Sequence, residues 1–424
     1  MISGKAECGL QYAVKKSGSA VGYCALSIKC GTRDEEGFHS GIAHFTEHTI
    51  FKGTRKRSAA VINSYLDRLG GELNAFTTKE EIVLHATVLK EDLPKASSLL
   101  FELATSATFP DHEINTEKGV VIDEIHSYKD TPSEDIYDRF EELLFKGHPL
   151  SSPILGTTAS VKRISSEELL KFVREKFIPC RMAFTVVADI EEQKMEKYIL
   201  KLIDRYFGNE APKIQCQNQQ ICMDRNNTAH ACISIQKPAA ERFDMTLNKR
   251  NHQANCVIGG LAPSLYQEKE RLATVLLCNI LGGPATNSIL NSILREKHGW
   301  VYGVECSYTQ YSDTGIVTIS LGCDKHNVEK CLEATDKEIL KLQEVPLTDR
   351  KLKAAKKQLL GQLAISSDNG ETQCLSMGKG LLAFGKITEG KETRELVEAI
   401  TAEDVMNMAK DIFDPARMSK LIYI

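Results

Sequence analysis

A chain of 424 residues is too long for one ordinary hydrophobic core, so two or more domains are expected. Its 42% apolar and 26% charged content excludes the disordered and membrane-embedded classes. A net charge of −4, with no basic stripe interleaved with aromatics, excludes a nucleic-acid binder that works through a positive field.

The start, MISGKAECGLQYAVKKSG, shows neither an apolar signal core nor an Arg-rich amphipathic helix. No run approaches the roughly 18 apolar residues that span a bilayer. The expected location is therefore cytoplasmic, with no membrane partner. The 13 cysteines are scattered and form no CxxC, which reads as reduced, mostly buried thiols.

In chain order, YCALSIKCG (23–31) and IVLHATVL (82–89) have strand composition, while 40–52, 58–69, 91–107, 112–128 and 166–176 have helical periodicity. The strand MAFTVVAD (182–189) precedes a helix at 191–206. Periodicity then lapses, which places a first domain at 1–207, a linker at 208–224 and a second domain at 225–424. In the second half HACISIQKP (230–238) and HQANCVIGG (252–260) read as strands, and 264–281 as a helix. The segment 286–299 reads as a helix stopped by Gly299, followed by a hairpin turning at SDTG (312–315). Both halves run helix, glycine stop, strand, turn, strand, long helix, so the chain reads as a duplicated α+β unit.

Only the first copy carries GIAHFTEHTIFKGT (41–54). On a helix with Ser40 as N-cap and Gly53 as stop, His44 and His48 at i and i+4 share one face, and Glu47 lies beside both. Two neutral imidazoles one turn apart converge on a single point, which suits one tetrahedral zinc ion, and Glu47 is close enough to take a proton from an attacking water. The competing reading is a pair of hydrogen-bonded core histidines.

A third ligand is sought in HEINTEKGVVIDEIHSYKD (112–130), where Glu117 and Glu124 lie seven apart on one helical face among Val120, Val121, Ile122 and Ile125. Glu124 can serve as that ligand, with Glu117 holding a histidine ring or Glu124 by a hydrogen bond. Glu113 and His126 compete, but His126 is two positions from Glu124 and points to the opposite side. A solvated acidic stripe remains the alternative for the pair.

With their flanks CGTRDE (30–35), FKGT (51–54) and GGELNAFT (70–77), these residues resemble the inverzincins, the HxxEH zinc peptidases of the pitrilysin family. The likeness is greatest to the short bacterial forms and the catalytic subunit of mitochondrial processing peptidase, and LREKHGWVYG (294–303) extends it into the second half.

The resemblance implies an α+β fold of two homologous sandwich units, each a mostly antiparallel sheet with helices on one face. Together they make half of a clamshell. It implies one zinc per chain on His44, His48 and Glu124, with Glu47 as general base and Glu117 as the second acid. It further implies that Asn74, Ala75 and Phe76 form an edge along which substrate adds as a strand, and that Arg295 and Tyr302 grip the peptide. The implied activity is that of a zinc endopeptidase on extended or unstructured peptides in a closed chamber, completed by a homodimer or a partner chain of the same family. Thr46 and GWVY (299–302) depart from the commoner leucine and GLAY, which bears on substrate preference and not on chemistry. The alternatives are a non-catalytic assembly subunit, like the core proteins of respiratory complexes, and a zinc hydrolase of non-peptide substrates.

Overall fold

A computed structural model describes residues 1–208, 240–249 and 251–424, together with the backbone of 220–223 and 229–232. Strands Ile2–Lys5 (β1), Gln11–Lys16 (β2), Val21–Ile28 (β3), Glu72–Thr77 (β4), Ile82–Leu89 (β5) and Met182–Ala188 (β6) form one sheet in the order β1-β2-β6-β3-β5-β4. All its pairings are antiparallel except β2 with β6. The helices of this half are Ile42–Thr49 (α1), Ala59–Asp67 (α2), Leu93–Ser106 (α3), Asp111–Lys129 (α4), Pro132–Leu144 (α5), Thr158–Arg163 (α6), Ser166–Lys176 (α7) and Glu192–Phe207 (α8).

Beyond them, Gln220–Met223 (β7) and Ala229–Cys232 (β8) pair as a separate hairpin. Strands Asp244–Leu247 (β9), Ala254–Ala262 (β10), Val301–Gln310 (β11), Gly315–Cys323 (β12) and Ser419–Tyr423 (β13) form a second sheet in the order β11-β12-β10-β13-β9. It is antiparallel except where β9 meets β13. Its half carries Glu268–Gly282 (α9), Val328–Glu344 (α10), Asp349–Asp368 (α11), Gly370–Phe384 (α12), Gly390–Ala399 (α13) and Ala402–Ile412 (α14).

The mixed helix-and-sheet class with two sheets is as expected; the helix layers are richer. In the first unit α3 and α8 bring Leu99, Leu103, Ile199 and Ile203 against Leu26, Leu84 and Phe184 on one sheet face. The other face is built of small residues, Ala13, Ala25 and Ala183, and α12 covers it with Cys374, Met377 and Leu381. Close approach is what those residues permit: a Cβ on Gly378 would stand 2.4 Å from the Ser27 hydroxyl, and Thr185 Oγ1 donates to the Cys374 carbonyl at 2.8 Å. Burial on both faces explains why β6, MAFTVVA, is an unbroken apolar run buried at every position.

The second unit repeats the scheme. Its sheet packs Cys256, Ile319 and Ile422 against α9, α10 and α14, and Val257, Ile316 and Leu421 against Ile136, Phe140 and Leu144 of α5. Each sheet thus has helices on both faces instead of one, and each takes the second layer from the other half of the sequence. The compact units are Met1–Ile125, Ser152–Ser234 and Ile365–Thr388 for the first, and His126–Ser151, Ile235–Ala364 and Glu389–Ile424 for the second.

Most of the expected linker at 208–224 and the C-terminal part of the expected strand at 230–238 lie outside the described residues. The expected helix at 286–299 contains a π-helical stretch, Asn291–Lys297, in which His298 N–H reaches back to the Ile293 carbonyl at 3.2 Å. Gly299 follows at φ 61, the left-handed conformation expected of a helix stop. Among the described residues no helix is long and apolar enough to cross a membrane.

Candidate metal centre

The helix α1 buries Ile42, Ala43 and Phe45 in the first core, which turns its other face toward α4. On that face the rings of His44 and His48 lie 4.6 Å apart, centroid to centroid, at 61°. Their Nε2 atoms stand 3.8 and 3.4 Å from Oε2 of Glu124. The donor atoms of the three residues all fall within 4.8 Å of one another, and they are the one such group of three among the described residues.

Ligands on a tetrahedral zinc at about 2.0–2.2 Å are themselves roughly 3.4 Å apart, so two imidazoles and a carboxylate in this arrangement fit a zinc ion by both spacing and donor type. The Glu124 side chain is 43% exposed, which leaves the centre accessible from solvent. His44 Nδ1 is buried without a hydrogen-bond partner among the described residues, leaving its Nε2 as the nitrogen turned toward Glu124.

Around this set the carboxylates divide their work. Glu117 is buried; its Oε1 accepts from His48 Nδ1 at 2.9 Å and its Oε2 from Lys52 Nζ at 2.6 Å. This bond orients the ring so that Nε2 faces the centre. Glu47 Oε2 accepts from Thr77 Oγ1, at the end of β4, at 2.8 Å.

The electrostatics follow from these contacts. Burial, reinforced by His48, pushes His44 down to about 3, so it is neutral and able to ligate. Burial also lowers His48, but its bond to Glu117 and the charges of Glu47 and Glu124 outweigh that and raise it. Burial raises Glu47 above the usual carboxylate range, against the pull of Thr77 and His48. For Glu117 burial is outweighed by the bonds to His48 and Lys52, and its carboxyl is lowered.

Of the competing ligands, Glu113 stands 3.6 Å from its neighbour His112, and His126 is exposed. Asn74, Ala75 and Phe76 lie on β4, the edge strand of the first sheet, in register with His85, Leu84 and Val83 of β5. Arg295 and Tyr302 belong to the second unit. Arg295 is exposed in the π-helical stretch, and Tyr302, 57% exposed on β11, donates its hydroxyl to Asp324 Oδ1 at 2.8 Å.

Sequence reasoning does not single out Lys52 or Thr77. Lys52 had a signal, since it continues the four-residue spacing of His44 and His48; Thr77 had none beyond its place at a strand end. The helix also begins differently: Gly41, at φ 87, occupies the N-cap position in place of Ser40, and α1 ends at Thr49, four residues before Gly53.

Comparison with known proteins bears on this centre. Residues 12–158 match the family model for insulinase (peptidase family M16), and residues 163–359 match that for the peptidase M16 inactive domain. The chain belongs to peptidase family M16. The candidate centre lies in the portion matched by the first model, and the portion matched by the second lacks the HxxEH motif, as the single occurrence in the sequence requires.

Relatives include the uncharacterized zinc protease YmxG of Bacillus subtilis, 28% identical over 91% of this chain and 89% of its own. An uncharacterized zinc protease of Rickettsia felis is 29% identical over 94% of this chain and 91% of its own. A protease from Helicobacter pylori shares the fold at a TM-score of 0.84 and 19% identity, covering 100% of this chain and 98% of that one.

Proposed function

We propose that this M16 protein is a zinc-dependent endopeptidase acting on extended or unstructured peptides, with one zinc per chain held by His44, His48 and Glu124. The observation that carries this reading is the convergence of those three donors beside Glu47, a half-buried carboxylate held by Thr77. A bound zinc supplies Lewis-acid polarisation of the scissile carbonyl and of the attacking water.

Glu47 accepts the proton of that water and later delivers it to the leaving amine, a task suited to a carboxyl that burial raises above the usual carboxylate range. Glu117 fixes the His48 ring and Lys52 balances its charge. The free edge of β4 at Asn74, Ala75 and Phe76 receives the peptide as an added strand, which reads backbone more than side chains. Arg295 and Tyr302 are the proposed further contacts of the bound peptide. A second copy, or a partner chain of the same family, completes a closed chamber that admits unfolded chains.

The purified protein is expected to contain about one zinc per chain and to cleave an unstructured peptide. Stripping the metal with a chelator should abolish cleavage and returning zinc should restore it. Protein that holds no zinc and cleaves nothing defeats the reading and favours a non-catalytic assembly subunit; cleavage that is equal after stripping defeats the zinc dependence.

Zinc affinity should also fall on acidification. The metal-free His48 holds its proton to higher pH than an ordinary histidine, and binding must displace that proton. Competition titrations at pH 6 and pH 8 check this; equal affinities at both would show that no such proton is released.

A further inference from the structure

The helix that carries His44, Glu47 and His48 has no cap of its own. Its N-cap residue is Gly41, and a side chain there is excluded, because a Cβ would meet the Leu155 carbonyl oxygen at 2.8 Å and Gly156 Cα at 2.9 Å. The first-turn amides still need acceptors. Glu35 supplies them from six and eight residues upstream: its Oε2 accepts the Gly41 N–H and its Oε1 the Ala43 N–H, each at 3.0 Å.

The carboxylate that does this is only 7% exposed, where acids are seldom found unless paired. Its charged neighbours are Lys79, which opposes its charge, and Asp34, which adds to it. Lys79 is itself 4% exposed and donates Nζ to the Ser152 carbonyl at 2.6 Å. Burial pushes Glu35 up to about 8, against the two amides and Lys79, so the carboxylate is held there at a cost.

The segment leading to Glu35 is clipped to the end of β4. Thr32 N–H donates to the Thr78 carbonyl at 3.3 Å and Arg33 N–H to the Lys79 carbonyl at 2.9 Å. A Cβ on Gly31 would stand 2.4 Å from the Lys79 backbone, so only glycine allows the two segments to lie this close. Thr77, the residue just before this clip, holds Glu47. The start of the helix and the orientation of its base are therefore referred to one and the same turn.

We infer that Glu35 is a positioning residue of the metal centre, setting the height and roll of α1 so that His44 and His48 converge on Glu124 while Glu47 stays on Thr77. The inference rests on the zinc-peptidase reading for its effect on turnover, but its effect on the metal stands apart.

The test is Glu35→Gln, nearly isosteric, which retains one acceptor and sets an NH2 group against the second amide. Three quantities are compared with wild type: zinc affinity by competition with a chromophoric chelator, the visible bands of the cobalt-substituted protein, and kcat and KM on an unstructured peptide. The expected result is zinc affinity weakened by about 10–100-fold, shifted cobalt bands, and a kcat reduced by a similar factor with KM nearly unchanged. Wild-type affinity, bands and kcat in a folded Glu35→Gln protein overturn the inference. If that variant does not fold, Glu35→Asp, too short to reach both amides, is read in the same three ways. Wild type that binds zinc but cleaves nothing defeats the peptidase reading alone, and the affinity and cobalt measurements still decide the role of Glu35.

Discussion

Replacing Glu47 by glutamine is expected to lower kcat on an unstructured peptide by about 10²–10⁴-fold, the usual contribution of a positioned general base, with the zinc content unchanged. The amide keeps the shape of the side chain and can still accept the Thr77 hydroxyl, which now bonds Glu47 Oε2 at 2.8 Å. What it cannot do is take a proton. His44, His48 and Glu124 are untouched by the change, so metal analysis and kinetics on the same preparation separate proton transfer from metal binding. A glutamine variant as active as wild type would remove Glu47 from the chemistry. One that loses its zinc would place Glu47 in metal retention instead.

The second large effect is on stability. Phe140 of α5 is fully buried and meets the Phe243 ring edge-on at a centroid distance of 5.2 Å. It packs with Ile136, Leu144, Leu421 and Tyr423, the layer that covers the second face of the second sheet. Phe140→Ala removes most of that contact and leaves a cavity, at a cost of about 3–5 kcal/mol. That is a large part of the roughly 5–15 kcal/mol by which domains are stable.

Trp300, the one tryptophan of the chain, packs against the main core of the same unit and reports its unfolding by fluorescence. Tyr137→Ala on the same helix, 37% exposed, should shift the denaturation midpoint far less. Equal shifts for the two substitutions would mean that α5 contributes no packed layer.

The convergence of His44, His48 and Glu124 was legible because helical period carries it. His44, Glu47 and His48 must share a side of α1, Glu117 and Glu124 must share a side of α4, and the same period turns His126 away. What period cannot show is where an acceptor comes from when the chain folds back. Ser40 is the local candidate for the cap, but Gly41 is pressed against Gly156, more than a hundred residues further on, and Glu35 takes the role.

The same limit hides the exchange of α5 and α12. Amphipathic spacing says that each has an apolar side, not which sheet it covers. One clue was present: the unbroken apolar run of β6 implies a strand covered on both faces, and so a second helix layer. The parts proposed for Arg295 and Tyr302 rest on family resemblance, since neither exposure nor spacing marks them out.

The interleaving of the two units has a consequence for the order of folding. Every residue of the metal centre has been synthesised by position 124, yet the small-residue face of the first sheet waits for Ile365–Thr388. Until then Ala13, Ala25, Val83 and Ala183 have no cover, and a nascent chain presents an unfinished apolar surface for most of its synthesis. The second sheet has the reverse arrangement, with α5 made long before the strands it packs on. Neither half can be completed without a segment of the other, so the two units should gain their final stability together, and only after nearly the whole chain has emerged.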